Sequence, residues 1–362
     1  MFKVLELANF RGFEQARLAG LARINVFTGL NGSGKTSILE AAFLISGGAN
    51  AGLAASLYGF RGESGFPIGS ERIFRTLFRN LNPGTVPKIV ASTSERLKTT
   101  SRYRRELSIK PTYAVSPGQA TTSQPPALRG VTFEFVGPSG KETSKWGWTP
   151  EAHQLILQPN APPQLLLGGK PSENRDLILA QYVSPYLRNV HPSPHDNLTR
   201  LVKERRADDV LEPLKLIHPQ LKGLHPLTEN DDKVIMADVG GESLLPISLL
   251  GSGVSNALHI VLPFVLHENA TILIDEFEDG IHHSLLTPLL RIVLNLARVK
   301  RNQVFISTHS NEFIRHFIAL ANDEKATDIA FFRLGRIGLK GLVPRLSLSE
   351  AETLLDSNLD IR

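Results

Sequence analysis

Cysteine is absent from this 362-residue chain, which excludes disulfide bonds and thiolate metal sites. The absence is compatible with a reducing compartment, and the first residues, MFKVLELANFRGF, lack the pattern of an export signal. The longest apolar run, around residues 257–266, is interrupted by His259 and Pro263 and falls short of the roughly 20 residues that a membrane span needs. We therefore expect a globular cytoplasmic protein with no membrane segment.

The chain also has only a small excess of one charge sign and few heptad repeats. The formal net charge of +5, from 40 basic and 35 acidic residues, is too small to indicate a nucleic-acid-binding protein by itself. The sequence has no sustained heptads, which excludes a long coiled-coil arm. With 41% hydrophobic residues, the chain can bury one large core or two ordinary ones.

The clearest motif is GLNGSGKTS at residues 29–37, which fits the phosphate-loop pattern G-x-x-x-x-G-K-[ST]. RINVFTG before it alternates like a strand, and SILEAAFLISG after it has helical spacing. Glycines let backbone N–H groups surround phosphates, a lysine neutralises the β and γ oxygens, and a threonine hydroxyl completes a Mg²⁺ shell. The motif therefore predicts nucleotide contacts from Asn31, Gly32, Ser33, Gly34, Lys35, Thr36 and Ser37, with Lys35 catalytic and Thr36 also a metal ligand.

A second strand signal, TILIDE, ends in two acids within the stretch ILIDEFEDGIHHS at residues 272–284. Asp275 is the candidate Mg²⁺ ligand, and Glu276 is the candidate general base that polarises the attacking water. A metal site built on His282 and His283 is a weaker interpretation, because two ligands on one helix face usually stand four residues apart.

QVFISTHS at residues 303–310 predicts another core strand, which ends at His309. A helix at 284–300 separates it from the acid strand, and a right-handed crossover places such parallel strands side by side or nearly so. Taken alone, this histidine would more often be structural. Its place after the acid strand predicts a contact with the γ-phosphate instead.

More than half of the chain separates Lys35 from Asp275, whereas compact nucleotide-binding classes keep these elements closer. Such a long insertion indicates an ABC-type head, which should carry a signature loop shortly before the acid strand. LLGSGVSNALHIV at residues 249–261 supplies one, with Ser252 and Gly253 placed to bind an anion at the start of a helix. Taken alone, it would be an ordinary glycine-rich helix cap.

These motifs resemble the stand-alone AAA-15/AAA-21 group of ABC-class ATPases, relatives of the RecF, SMC and OLD heads. The matching stretches are ANFRGF, GLNGSGKTSILEA, RTLFRNL, SLLGSGVSNAL, LIDEFEDGIHHSLL, STHSNEFI and NLDIR. The resemblance implies ATP and Mg²⁺ as cofactors and an ATP-dependent homodimer in which the signature loop faces the partner's γ-phosphate. It also implies that Arg11 lies near the phosphates.

The sequence departs from the family pattern at the signature and at the position of a Q-loop glutamine. Ser255 and Asn256 follow Gly253 where a basic residue is usual, and Asp279 stands where asparagine is commoner. Gln119 and Gln124 lie in a Pro/Ser/Thr-rich stretch that is typical of a loop, so no Q-loop glutamine is identified.

The predicted fold is an α/β P-loop NTPase of ABC/SMC-head type, with a mixed central sheet flanked by helices. Residues 1–47 and 246–345 should form the nucleotide-binding core, 48–170 a β-rich antiparallel arm, 171–245 a helical lobe, and 346–362 a C-terminal helix and tail. The arm strands are expected at PKIVAST, RELSIKPTYAV and GVTFEFVG.

The predicted function is slow ATP hydrolysis coupled to dimer closure. The residues after His309 are too few for a nuclease domain, so we expect a separate effector chain, and the resemblance implies a nuclease or toxin in prokaryotic defence against phage or plasmid. A RecF-type DNA-repair ATPase and an ATP-gated scaffold with negligible hydrolysis remain open. Arg102, Arg104 and Arg105 could contact DNA or RNA weakly, although a solvated strand and turn is the commoner explanation of such a run.

Overall fold

The computed structural model describes residues 1–62, 71–93, 103–113, 128–147, 176–186, 193–229, 232–335 and 340–356. Strands in these ranges form three sheets, and the sheet that carries the phosphate loop is parallel except at one edge. Its strands, in spatial order, are β16 (Arg345–Leu346), β14 (Ile329–Leu334), β3 (Ile24–Gly29), β13 (Gln303–Ser307), β12 (Thr271–Ile274) and β8 (Ala180–Val183). The mixed central sheet of the sequence prediction is therefore confirmed.

The acid strand β12 is not the direct neighbour of β3, because β13 lies between them. Both pairings are parallel, with Ile306 of β13 opposite Val26 of β3 on one side and opposite Ile274 of β12 on the other. Carboxyl ends of parallel strands emerge at one edge of a sheet, so the loops after all of these strands still meet there. The phosphate loop and the acid pair therefore lie at the same edge of the sheet, although their strands are not neighbours.

Both faces of this sheet are covered, which explains why its strands are continuously apolar. Along β12, Ile272 and Ile274 point into a cluster with the helices at residues 252–266, 283–299 and 311–323, whereas Leu273 points into a cluster with the helix at 35–46 and the second sheet. On that second face Phe27 stacks between Phe305 and Phe332, with ring centroids 5.7 and 5.4 Å away. The helices are α1 (Lys35–Ser46), α2 (Leu53–Phe60), α3 (Glu71–Arg75), α4 (Pro194–Lys203), α5 (Asp208–Lys215), α6 (Ser252–Leu266), α7 (His283–Val299), α8 (Asn311–Asp323) and α9 (Leu348–Asp356).

The second sheet is the β-rich arm, and it includes strands that the sequence assigned to the core. Its order is β15 (Lys340–Leu342), β2 (Phe13–Ala19), β1 (Val4–Phe10), β4 (Lys88–Ser92), β5 (Arg104–Tyr113), β6 (Leu128–Gly137) and β7 (Gly140–Gly147). The three expected arm strands are present as β4, β5 and β6. Residues 4–19, which we assigned to the nucleotide-binding core, pair in this second sheet, because β1 bonds to β4 rather than to β3.

The segment 171–245 is not the helical lobe that we expected. It contains α4 and α5 but also β8 and a small antiparallel sheet of β9 (Gly223–Glu229), β10 (Asp232–Asp238) and β11 (Leu245–Pro246). Short apolar runs do not distinguish a buried strand from a helix, and Pro226 is tolerated because β9 is an edge strand. Within the described ranges, no helix combines the length and apolar character that a membrane crossing requires.

Candidate functional site

The phosphate loop runs from the end of β3 to the start of α1. Gly32 and Gly34 adopt φ values of 77° and 97°, in the left-handed region that glycine favours. A Cβ on Gly34 would lie 2.5 Å from the ring of Phe13, the first residue of β2, so this contact also requires glycine there. The buried hydroxyl of Ser33 makes no hydrogen bond within the described residues. This unsatisfied donor and the start of α1 behind Gly34 fit a phosphate ligand.

Lys35 is folded back onto its own loop, where its Nζ donates to the carbonyls of Gly29 at 2.7 Å and Leu30 at 3.0 Å. Burial lowers the pKa of Lys35, and the neighbouring Asp275 and Glu276 carboxylates oppose that shift. The lysine is thus held beside the positions where phosphate oxygens would lie.

Asp275 joins the acid strand to the phosphate loop. Its Oδ1 accepts from the Thr36 hydroxyl at 3.1 Å and from the Ser307 hydroxyl, and its Oδ2 accepts from the Tyr182 hydroxyl at 3.1 Å. Burial raises the pKa of Asp275, and the hydroxyl donors act in the opposite direction. The chain therefore brings a hydroxyl and a carboxylate together, the oxygen ligands that Mg²⁺ prefers.

Glu276 lies in a different environment from Asp275. It has a φ of 50°, its backbone N–H donates to Ser307 Oγ at 2.9 Å, and its side chain is half-buried. Burial, followed by the charge of Asp275, raises the pKa of Glu276. A raised pKa suits a carboxylate that accepts a proton from water.

His309 lies at the same edge of the sheet and is paired with Glu278, a residue that the sequence analysis did not select. The backbone N–H of His309 donates to Glu278 Oε1 at 3.0 Å, and His309 Nδ1 lies 3.3 Å from the same oxygen. The His309 side chain is 43% exposed. Glu278 thus fixes the backbone of His309 and lies beside its imidazole, whose Nδ1 makes no hydrogen bond within the described residues.

Two family models match separate parts of the chain. Residues 175–315 match the family described as "AAA domain, putative AbiEii toxin, Type IV TA system", and residues 5–116 match one described as "AAA domain". An ATP/GTP phosphatase of Helicobacter pylori is 23% identical over 332 residues, which cover 87% of this chain and 86% of that protein. DNA replication and repair protein RecF of Idiomarina loihiensis is 48% identical over 46 residues, 13% of each chain.

The fold also matches a solved structure, the SmcHead bound to the C-winged helix domain of ScpA. The match covers 97% of this chain and 99% of that one, with 15% identity and a TM-score of 0.51. Two AAA-domain models of an ATPase family thus match the sequence, and the fold is that of an SMC head. The junction of the phosphate loop with the acid strand is in keeping with both findings.

The predicted signature loop of the ATPase packs against the residues that follow the acids. Ser252 Oγ donates to the Gly280 carbonyl at 3.3 Å, and Asn256 Nδ2 donates to the Asp279 carbonyl at 3.1 Å. A Cβ on Gly253 would lie 2.6 Å from a Leu285 methyl carbon. Asn256 and Asp279, both departures from the family pattern, are therefore direct partners. Ser252 is exposed, and its side chain makes no hydrogen bond to the phosphate loop in the described part of the chain.

Arg11 is paired with an acid of the helix that follows the phosphate loop, and its place near the phosphates stays a prediction. Its guanidinium pairs with Glu40 of α1 at 3.0 Å, and Arg61 contacts the same carboxylate at 2.7 Å. Glu40 is fully buried, so a charge inside the protein has two cationic partners. Burial is the main cause that lowers the pKa of Arg11.

The arginine run has intramolecular partners where it is described. Arg104 pairs with Glu106 at 2.8 Å, and Arg105 donates to the Asp176 carbonyl at 3.2 Å. Arg102, Gln119 and Gln124 lie outside the described residues. Contact with DNA or RNA stays a prediction. Because Arg104 and Arg105 have partners within the chain, this surface offers less unpaired positive charge than the sequence suggested.

The two adjacent histidines have local roles. His282 caps the start of α7, where its Nδ1 accepts from the Ser284 N–H at 3.4 Å, and His283 Nδ1 lies 3.9 Å from Glu312. No cluster of metal-binding side chains occurs among the described residues. Helix capping therefore accounts for His282.

Proposed function

We propose that this ATPase is a cytoplasmic switch that binds MgATP, closes into a homodimer, hydrolyses ATP slowly and thereby controls a separate effector protein. The observation that carries the proposal is the hydrogen bond between Thr36 Oγ1 and Asp275 Oδ1, which joins residues 239 positions apart at the mouth of the phosphate loop. A triphosphate with its metal is the ligand that uses both groups at once.

The residues present fit that ligand, and each has a distinct task. Bound Mg²⁺ would supply charge neutralisation between phosphate oxygens. Backbone N–H groups of residues 31–36 would hold the β-phosphate, and Lys35 would exchange its carbonyl partners for phosphate oxygens. Glu276 would accept the proton of the attacking water, and His309, whose backbone N–H is bonded to Glu278, would donate a hydrogen bond from its imidazole near the γ-phosphate.

The exposed signature loop supports closure of a second copy onto the nucleotide. Ser252 and Gly253 begin the 15-residue helix α6, whose N-terminus favours an anion. Leu249, just before the loop, is 70% exposed, and Leu30 in the phosphate loop is 50% exposed. Burying both leucines between two copies would add apolar contact around the bound phosphates.

Replacing Ser252 with glutamate should prevent ATP-dependent dimerisation without weakening nucleotide binding by the monomer. A carboxylate opposite the partner's γ-phosphate adds like-charge repulsion, which should raise the dimer dissociation constant at least about 100-fold. Light scattering with a non-hydrolysable ATP analogue measures the mass, and calorimetry measures nucleotide affinity.

The matched control is Ser349→Glu, which adds the same charge to an exposed serine in the first turn of α9. We expect this control to dimerise like the wild type. If Ser252→Glu dimerises as tightly as Ser349→Glu, the signature loop does not face a partner's nucleotide.

The relatives support two biological roles for this ATPase, defence and DNA repair. The family match over residues 175–315 is described in part as "putative AbiEii toxin, Type IV TA system", and we propose on that basis a role in defence against phage or plasmid, with a toxin or nuclease as the separate partner. The short likeness to RecF favours a DNA-repair ATPase instead. Stimulation of ATP hydrolysis by gapped DNA would support repair, whereas a co-purifying toxin or nuclease encoded by the neighbouring reading frame would support defence.

A further inference from the structure

Tyr182 brings a hydroxyl to the acid pair from a part of the chain that no motif covers. It lies on β8, the edge strand beside β12, in register with Leu273. Its side chain is buried, and its hydroxyl donates to Asp275 Oδ2 at 3.1 Å. The strand that carries it was expected to be helical.

The ring of Tyr182 is fixed by its neighbours. Phe60, at the end of α2, stacks on it with centroids 4.1 Å apart and planes 9° from parallel. Phe43 of α1 meets it edge-on at 6.2 Å. The Ser184 hydroxyl donates to the Phe60 carbonyl at 2.8 Å, which ties the end of β8 to the end of α2. A ring held on these sides leaves its hydroxyl little freedom to move.

The hydroxyls around Asp275 divide between its two oxygens. Oδ1 accepts from Thr36 and Ser307, whereas Oδ2 accepts from Tyr182. A carboxylate held at both oxygens cannot rotate about its χ2 bond without losing a hydrogen bond in a buried site, where such a loss is costly. The Thr36 hydroxyl, which bonds to Oδ1, would also be a ligand of the magnesium ion. The orientation of Oδ1 beside it therefore matters for metal binding.

We infer that Tyr182 is a positioning residue for the magnesium site, whose hydroxyl fixes Asp275 Oδ2 and so directs Oδ1 toward the metal beside Thr36. This inference rests on the proposed MgATP function. Phenylalanine would keep the stacking with Phe60 and remove only the oxygen, so the hydroxyl's role is separable from packing.

The test compares Tyr182→Phe with Tyr186→Phe, the same change at an exposed tyrosine four positions later. Binding of a fluorescent, non-hydrolysable ATP analogue is measured in EDTA and then across a Mg²⁺ titration. For Tyr182→Phe we expect the Mg²⁺ concentration at half-maximal enhancement to rise about 10-fold, because a hydrogen bond to a charged group is lost. Binding in EDTA should stay at the wild-type level.

An unchanged Mg²⁺ requirement in Tyr182→Phe, with a Mg²⁺-sensitive wild type, overturns this inference alone. Weaker binding by the same factor in EDTA and in Mg²⁺ also overturns it, since that result indicates a packing defect. A wild type whose nucleotide binding ignores Mg²⁺ overturns the proposed function and this inference together. A shift in Tyr186→Phe equal to that in Tyr182→Phe would show that Asp275 Oδ2 is not the cause.

Discussion

Replacing Glu276 with glutamine should lower kcat for ATP hydrolysis at least about 100-fold while MgATP binding persists. Glutamine keeps the shape of the side chain but cannot accept a proton from water. The backbone at Glu276 is held in the left-handed region by the Ser307 hydroxyl, and burial raises the pKa of the carboxyl. Steady-state phosphate release measures the loss, and light scattering should show that an ATP-bound dimer accumulates.

Glu268→Gln is the matched control, because Glu268 is an exposed glutamate that pairs with Lys300 at the protein surface. We expect that variant to hydrolyse ATP at the wild-type rate. Wild-type turnover in Glu276→Gln would refute its role as general base. A wild type no faster than Glu276→Gln, with or without DNA, would instead favour the ATP-gated scaffold.

Replacing Glu40 with alanine should lower the free energy of unfolding by about 3–5 kcal/mol, the usual cost of removing one partner of a buried ion pair. The Glu40 side chain has no exposed area, and the Arg11 side chain that it neutralises is only 11% exposed. Without the carboxylate, the Arg11 guanidinium would remain buried with its charge uncompensated. Urea denaturation, followed by circular dichroism, measures the loss.

Glu71→Ala provides the comparison, because Glu71 also pairs with an arginine, Arg75, but both side chains are about 40% exposed. An exposed pair contributes at most about 1 kcal/mol, so this variant should unfold close to the wild-type midpoint. If Glu40→Ala costs no more than Glu71→Ala, the buried cluster does not stabilise the α1 region as described.

Local patterns were sufficient to predict the phosphate loop, the acid strand and the histidine strand, because each combines a short motif with the strand or helix that it requires. Their meeting point followed from a general property of parallel sheets, although the position of β13 between β3 and β12 was not predicted. The signals for Glu278 and Ser307 were present inside the quoted motifs. Their roles became visible only through the contacts with His309 and Asp275.

Other parts of the site carried no sequence signal. Tyr182 stands in an apolar run that suits a helix as well as a buried strand, and only pairing with β12 brings it to Asp275. Glu40 lies within an ordinary helical pattern, and its complete burial depends on Arg11 and Arg61, which come from other elements. Contacts between residues distant in the chain decide both cases.

The most direct test of the central claim is a double-mutant cycle between Thr36 and Asp275, with the Mg²⁺ requirement for nucleotide binding as the measurement. Thr36→Ala and Asp275→Asn should each raise the Mg²⁺ concentration that binding requires. The double variant should need little more Mg²⁺ than the more impaired of the two single variants. A coupling energy of at least about 1 kcal/mol is the predicted result for groups that share one metal. Additive effects within about 0.5 kcal/mol would show that the two residues act at separate sites and would contradict the account.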